Sequence, residues 1–248
     1  MAKTTVALRA VLLAVVLMAG AVAQATAFTF TPMSVSISPS GTQSVVTFRV
    51  TNDSAQQTAV AIKVMTRQID EWGAETNVAA DKDFLVFPAR VVLKPNSFQS
   101  IKIQYRGSQA ILTEFAYRVI AEQLPVDFSK SEASGVNILL RYVAALYVTP
   151  KGTEPKITFL SAIGVSKDGG RGLSVTIKNE GNKHALLFNP LLRIRPNSGS
   201  PYTDLSGDPV KEIEGQNILA LSTRSFFVPW ESAVLGAAYE GAFSAELE

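Results

Sequence analysis

The stretch SGVNILLRYVAALYVTP, Ser134 to Pro150, decides how this chain is read. One parity holds Val136, Ile138, Leu140, Tyr142, Ala144, Leu146 and Val148. The other holds Asn137, Leu139, Arg141, Val143, Ala145 and Tyr147. Successive side chains of a strand face opposite ways, so one face is apolar throughout and the other is mixed. As a single strand, Val136–Val148 would extend roughly 43 Å at about 3.3 Å per residue, about twice the usual strand length. Two readings fit. The segment is a core strand buried on both faces, or two strands joined by a bulge. Or it is an edge strand offered to another protein, whose sheet it completes. A long apolar edge is an aggregation hazard unless something covers it.

Period-two alternation continues on both sides. Before the stretch come MSVSISPSG, SVVTFRVTND, TAVAIKVMTRQID, RVVLKPNSFQSIKIQYRG and FAYRVIAEQLPV. After it come KITFLSAIGVSKDGG, GLSVTIKNEG, HALLFNPLLRIRP, NILALSTRSFFVPW and GAFSAELE. Short alternating runs separated by Gly, Pro, Asn and Asp predict an all-β chain of sandwiches. No long segment has helical periodicity. SAVLGAAY, around Ala233, reads as strand or loop. The clearest boundary is TPKGTEP, Thr149 to Pro155, where two prolines and a glycine sit among polar residues. It predicts a short, stiff elbow between an N-terminal domain over 28–150 and a C-terminal β-sandwich over 151–248.

The first 27 residues read as an export signal. Lys3 and Arg9 form a basic start, the run from Ala10 to Ala23 is apolar, and Ala25-Thr26-Ala27 supplies small residues for cleavage before Phe28. The run is short for a membrane span, and no later stretch is apolar enough to cross a bilayer. Cleavage would leave 248 less 27, or 221 residues, in the periplasm. It would also remove two of the 23 Lys and Arg, leaving 21 against 21 Asp and Glu. A neutral chain gives no electrostatic case for nucleic acid or an anionic membrane as main partner. There is no cysteine. A chain this long can bury a sufficient core without disulfides, and thiol catalysis and thiolate metal sites are excluded.

Nothing in the pattern recommends an enzyme, a metal site or a cofactor site. His184 is the only histidine. It lies beside a turn in NEGNKHALL, no Gly-x-Ser-x-Gly elbow occurs, and it reads as a surface or edge-strand residue rather than a triad member. Asp70, Glu71, Asp81 and Asp83 lie along DEWGAETNVAADKD without an EF-hand spacing, which reads as a solvated loop. No glycine-rich turn opens a helix to cradle phosphate. The aromatics are scattered through strands and read as core.

The order of these features resembles the periplasmic pilus-assembly chaperones of the chaperone–usher pathway, their divergent, archaic branch in particular. The residues that carry the resemblance are SISPSG in the first strand, FLVFPARVVLKPNSFQSIKIQYRG, EFAYRVIAEQLPV with its Leu-Pro hinge, VNILLRYVAALYVTP closing on Tyr-x-x-Pro, and LSVTIKNEGNKHALL in the second half. The resemblance implies two immunoglobulin-like β-sandwich domains in a boomerang arrangement. It implies a protein that binds pilus or fimbrial subunits, lends them its seventh strand, and delivers them to an outer-membrane usher. The competing reading is a secreted pilus subunit or another structural protein with immunoglobulin-like domains. The open edge also leaves room for self-association of the free protein.

Aligning the closing Tyr-x-x-Pro places the subunit-facing row of the resembling family on Val136, Ile138 and Leu140, with Tyr142 next in line. The arginine and lysine with which most members hold a client's terminal carboxylate would fall on Val35 and Ala145, so both are missing. The resemblance therefore implies other basic residues in that role, and the candidates are Arg90, Lys94, Arg118 and Arg141.

Overall fold

The computed structural model describes residues 28–125 and 138–248. The expected leader over 1–27 and donor residue Val136 lie outside the described residues. Those described contain no α-helix, only two short 3₁₀ turns at Thr42–Ser44 and Asp208–Val210.

The first half supplies β1 (Phe28–Thr31), β2 (Ser34–Ile37), β3 (Val45–Asn52), β4 (Thr58–Thr66), a small hairpin of β5 (Gln68–Ile69) and β6 (Glu75–Thr76), then β7 (Phe84–Phe87), β8 (Arg90–Leu93), β9 (Ser97–Tyr105), β10 (Phe115–Gln123) and β11 (Arg141–Val148). They form two facing sheets, β1-β3-β9-β7 and β2-β11-β10-β4-β8. The chain changes sheet between β1, antiparallel to β3, and β2, parallel to β11. Pro32 lies in the gap, where a residue without an N–H breaks no ladder.

The alternation in the sequence is the inside–outside alternation of this sandwich. Val60, Ile62 and Val64 of β4, Phe48 and Val50 of β3, Ile101 and Ile103 of β9, and Val119 and Ala121 of β10 are buried in one core. Phe30 stacks on Phe48 with centroids 4.9 Å apart, and Phe84 meets Tyr105 and Tyr117 edge-on. Burying each such side chain contributes about 1.5–3 kcal/mol.

The second half supplies β12 (Ile157–Lys167), β13 (Gly170–Asn179), β14 (Ala185–Arg195), β15 (Thr203–Leu205), β16 (Asn217–Ile218), β17 (Thr223–Pro229) and β18 (Ala238–Leu247). β18 joins two layers: Ala238 and Tyr239 pair with β12, and Glu240–Leu247 pair with β14. A separate core gathers Leu173, Val175, Ile177, Leu187, Leu192, Ile194 and Val228. Pro190 interrupts β14 as expected of a residue that cannot donate to a ladder. Asn189 turns to φ +50°, and the register with β18 shifts between Phe188 and Leu191. The chain is thus two immunoglobulin-like β-sandwiches with two cores. Within SAVLGAAY, Ala233 is buried in a turn region, and the strand begins only at Ala238.

A fully buried asparagine ends β3 in the first sandwich and β13 in the second, and each ties down a turn. Asn52 donates to the carbonyls of Gln56 and Lys94, and its Oδ1 accepts the Ser54 N–H. Asn179 donates to the carbonyls of Lys183 and Ile218 and accepts the N–H groups of Lys156 and Gly181. Buried polar groups satisfied in this way fix the turns beside them.

The long strand is shorter than its pattern. β11 holds eight residues and begins at Arg141, and Ile138–Leu140 precede it outside any strand. Its apolar parity is also not a single surface: Ala144, Leu146 and Val148 belong to the protein's own first core.

Candidate functional site

β11 sits between two neighbours of unequal length. On one side β10 pairs with all of it, from Arg141 opposite Glu122 to Val148 opposite Phe115. On the other side β2 pairs only with Ala145–Val148. Among the described residues, Arg141–Ala144 therefore lack a strand on one side, and their edge groups are free to pair with an added strand. Leu140 is held to the β10 side by the Gln123 N–H, which donates to its carbonyl at 2.9 Å.

The apolar row climbs out of the core along this edge. Val148, Leu146 and Ala144 are wholly buried. Tyr142 is half-buried: its ring meets Phe28 edge-on at 4.9 Å, and its hydroxyl donates to the Phe28 carbonyl at 2.7 Å. Leu140 packs on the margin of the core, while Ile138 is 70% exposed. Leu139 and Val143, of the opposite parity, are exposed too.

The four basic candidates do not converge. Arg141, Glu122, Ala61 and Arg90 occupy one register row across β11, β10, β4 and β8, on the face away from the first core. Arg141 and Arg90 are exposed at its two ends, and Glu122 between them pairs with Lys63 at 2.9 Å. Contacts with the second sandwich come only six residues along, near Arg67 and Tyr147, roughly 20 Å away at strand rise. Arg90 thus shares the sheet face of Arg118 and Tyr147 but lies about 20 Å along it from those contacts. Lys94 is exposed in the turn after β8.

Arg118 is different. It lies directly across from Ala145, on the same face. Its guanidinium grips Glu75 with two bonds, Nε at 2.9 Å and Nη2 at 2.6 Å. Arg67 reaches the same carboxylate with its Nε at 2.9 Å. The Arg118 hydrogen bond, working against partial burial, holds Glu75 down to about 2. Val35, counted as the other missing anchor position, lies opposite Leu146 and packs on the first core. A cation there would face apolar side chains, while Ser34 and Ser36 lie opposite Ala145 and Tyr147.

Between the sandwiches runs a polar seam that the sequence did not reveal. The Glu114 carboxylate accepts the His184 backbone N–H at 3.0 Å, bonds to His184 Nδ1 at 2.5 Å, and accepts the Thr149 hydroxyl at 2.7 Å. Burial pushes Glu114 up, and the bonds from His184 and Thr149 outweigh it, so the carboxyl lies below its ordinary value. The His184 ring lies flat on Tyr147, centroids 3.7 Å apart. The Tyr147 hydroxyl accepts Arg67 Nη1 at 3.1 Å and Asn217 Nδ2 at 2.8 Å. His184 is therefore a buried seam residue, not the surface or edge residue its turn-flanked position suggested.

The segment expected as a solvated loop is partly ordered as well. The β5–β6 hairpin reaches across to β17: the Glu71 carbonyl accepts the Ser225 N–H at 2.7 Å, and Glu71 Oε1 accepts its hydroxyl at 2.6 Å. The one legible hint was Arg67 and Glu75 flanking the turn at Gly73.

Comparison with known proteins agrees with this architecture. The family described as pili and flagellar-assembly chaperone, PapD N-terminal domain, matches residues 29–154. The chain belongs to this family of pilus-assembly chaperones. The family's role is that of a chaperone, which is not an enzymatic one. Three solved structures show how far the fold is shared. The class 5 fimbriae chaperone CfaA is 16% identical with a TM-score of 0.56, over 90% of this chain and 99% of that one. A chain of the CsuC–CsuE chaperone–tip adhesion subunit pre-assembly complex, from archaic chaperone–usher Csu pili of Acinetobacter baumannii, is 15% identical with a TM-score of 0.53, over 81% and 89%. A chain of the Salmonella enterica SafA pilin–SafB chaperone complex is 13% identical with a TM-score of 0.51, over 90% and 98%. No curated protein matches.

Proposed function

We propose that this protein is a periplasmic chaperone that holds pilus or fimbrial subunits by lending them the free edge of β11, and passes them to an outer-membrane usher. One observation carries the reading. β2 pairs with β11 only from Ala145 onward, and the apolar row continues upstream of it through Tyr142 and Leu140 to an exposed Ile138. An incomplete sheet of a client, laid along this edge, would gain backbone hydrogen bonds from Arg141–Ala144. Its groove would take up Leu140 and Ile138, with Val136 next in the row. The relatives in solved complexes with a tip subunit or a pilin support the same role for this chain.

In this reading the leader is removed before Phe28. The N-terminal domain ends near Pro150 and the C-terminal domain starts near Lys151, in the stretch between the two cores. Of the basic candidates, Arg141, Arg90 and Lys94 form no ion pair among the described residues, and of these only Arg141 lies on β11 beside the client's strand, Arg90 being on β8 at the opposite edge of the sheet. Arg118 would first have to give up Glu75.

The test is co-expression with neighbouring secreted subunits and recovery from periplasm. Wild type should co-purify with a client, and Ile138→Asp should not, because the charge would have to enter the client's groove unpaired. Equal recovery by a folded Ile138→Asp protein would sink the reading.

A further inference from the structure

A cavity of about 510 Å³ lies under the β5–β6 hairpin, against β13 and β17 of the second sandwich. Its size falls in the range of small-molecule sites. Its lining includes Trp72, Lys167, Glu212, Gln216, Arg224 and Phe227. Arg224 is 6% exposed. Its Nε is buried with no hydrogen-bond partner among the described residues. Its two hydrogen bonds are long, Nη1 to the Asn217 carbonyl at 3.4 Å and Nη2 to Gln216 Oε1 at 3.5 Å, and its guanidinium carbon lies 5.1 Å from the Phe226 ring centroid. Gly73 is what lets the hairpin close over it: at φ +95°, a side chain there would come within 2.6 Å of Arg224 Nη2.

A buried guanidinium normally has a carboxylate, because desolvating an unpaired charge is costly. The two arginines at the seam obey this rule, since Arg67 and Arg118 share Glu75. Arg224 does not: no ion pair among the described residues includes it. Asp70 acts on Arg224 through space without bonding to it, and its Oδ1 is spent on the N–H groups of Trp72 and Ala74. Glu212 lines the cavity without bonding to Arg224.

We infer that this cavity is a binding site for a carboxylate, with Arg224 as the group that receives it and Trp72 and Phe227 as walls for an apolar substituent beside it. In the lining Arg224 and Lys167 stand against Glu212, with Asp70 acting on Arg224 from nearby, a balance that disfavours a phosphate dianion. The guanidinium fork is matched to a planar carboxylate. A small free acid and the C-terminus of a peptide share this chemistry. The site lies apart from the β11 edge and does not depend on strand lending.

The experiment is isothermal titration calorimetry of the cleaved wild-type chain with four probes: N-acetylphenylalanine, its amide, a hexapeptide ending in a free phenylalanine carboxylate, and the same peptide amidated. Saturable binding of either acid, at least about tenfold tighter than its amide, is the expected result. Binding of both acids points to a small-acid site, and binding of the peptide alone points to a chain terminus. Inorganic phosphate should not compete. Arg224→Gln should lose the preference for acid over amide. If that variant fails to fold, the acid–amide comparison on wild type still decides. No binding of either acid, or equal binding of acid and amide, overturns the proposal.

Discussion

The two halves of one apolar row make an instructive contrast. Val148, Leu146 and Ala144 are wholly buried, while Ile138, on the same parity and of the same chemical kind, is 70% exposed. Nothing in the alternation separates them. What separates them is coverage. β2 lies beside the downstream half, and its last partner is Ala145. Phe28 meets the row at Tyr142, where burial becomes partial. A period of two tells which residues share a face. It does not tell how far along that face the rest of the protein extends.

The contrast breaks most sharply at Leu146. A carboxylate placed there by Leu146→Asp would be buried in the first core without a partner, at a cost of roughly 3–5 kcal/mol or more. We expect no native β signal by circular dichroism, and the milder Leu146→Ala should lower stability by about 2–5 kcal/mol. Ile138→Asp should do the opposite. Its melting curve should match wild type within about 0.5 kcal/mol, as for an exposed position, while client recovery disappears. A melting point as low as that of Leu146→Ala would show that Ile138 belongs to the core after all.

Smaller effects are expected at the seam. Glu114→Gln keeps the size of the side chain but weakens its bonds to His184 and Thr149. Denaturant titration should show a loss of about 1–3 kcal/mol, with client recovery less affected than in Ile138→Asp. Acid should act on the same contacts. Glu114 and Glu75 both lie below the ordinary 4.5 in the folded chain. Their contribution is complete above that value and fades as pH falls through the folded values, down to about 2 for Glu75. A stability profile between pH 5 and 2 should therefore slope downward. Glu75→Gln should flatten part of that slope, and an unchanged slope would mean the Arg67–Glu75–Arg118 cluster contributes nothing to folding.

Much of this protein is determined locally. The all-β class, the two sandwiches and the membership of β11 in a shared face all follow from alternation and turn residues. Strand geometry imposes them on any chain with this pattern. The resemblance to pilus-assembly chaperones was legible in the same stretches, because it rests on their order. The candidate site was legible only as a row of residues. Where the strand begins, which half of the row is core, and which arginine already has a partner depend on groups far apart in the chain. Glu75 is 43 residues from Arg118, and Glu114 is 70 from His184. Electrostatic pairing and burial act across such separations only after folding has brought the groups together. That is why Arg118 looked available in the sequence, why His184 looked exposed, and why the unpaired guanidinium of Arg224 left no trace in the sequence pattern.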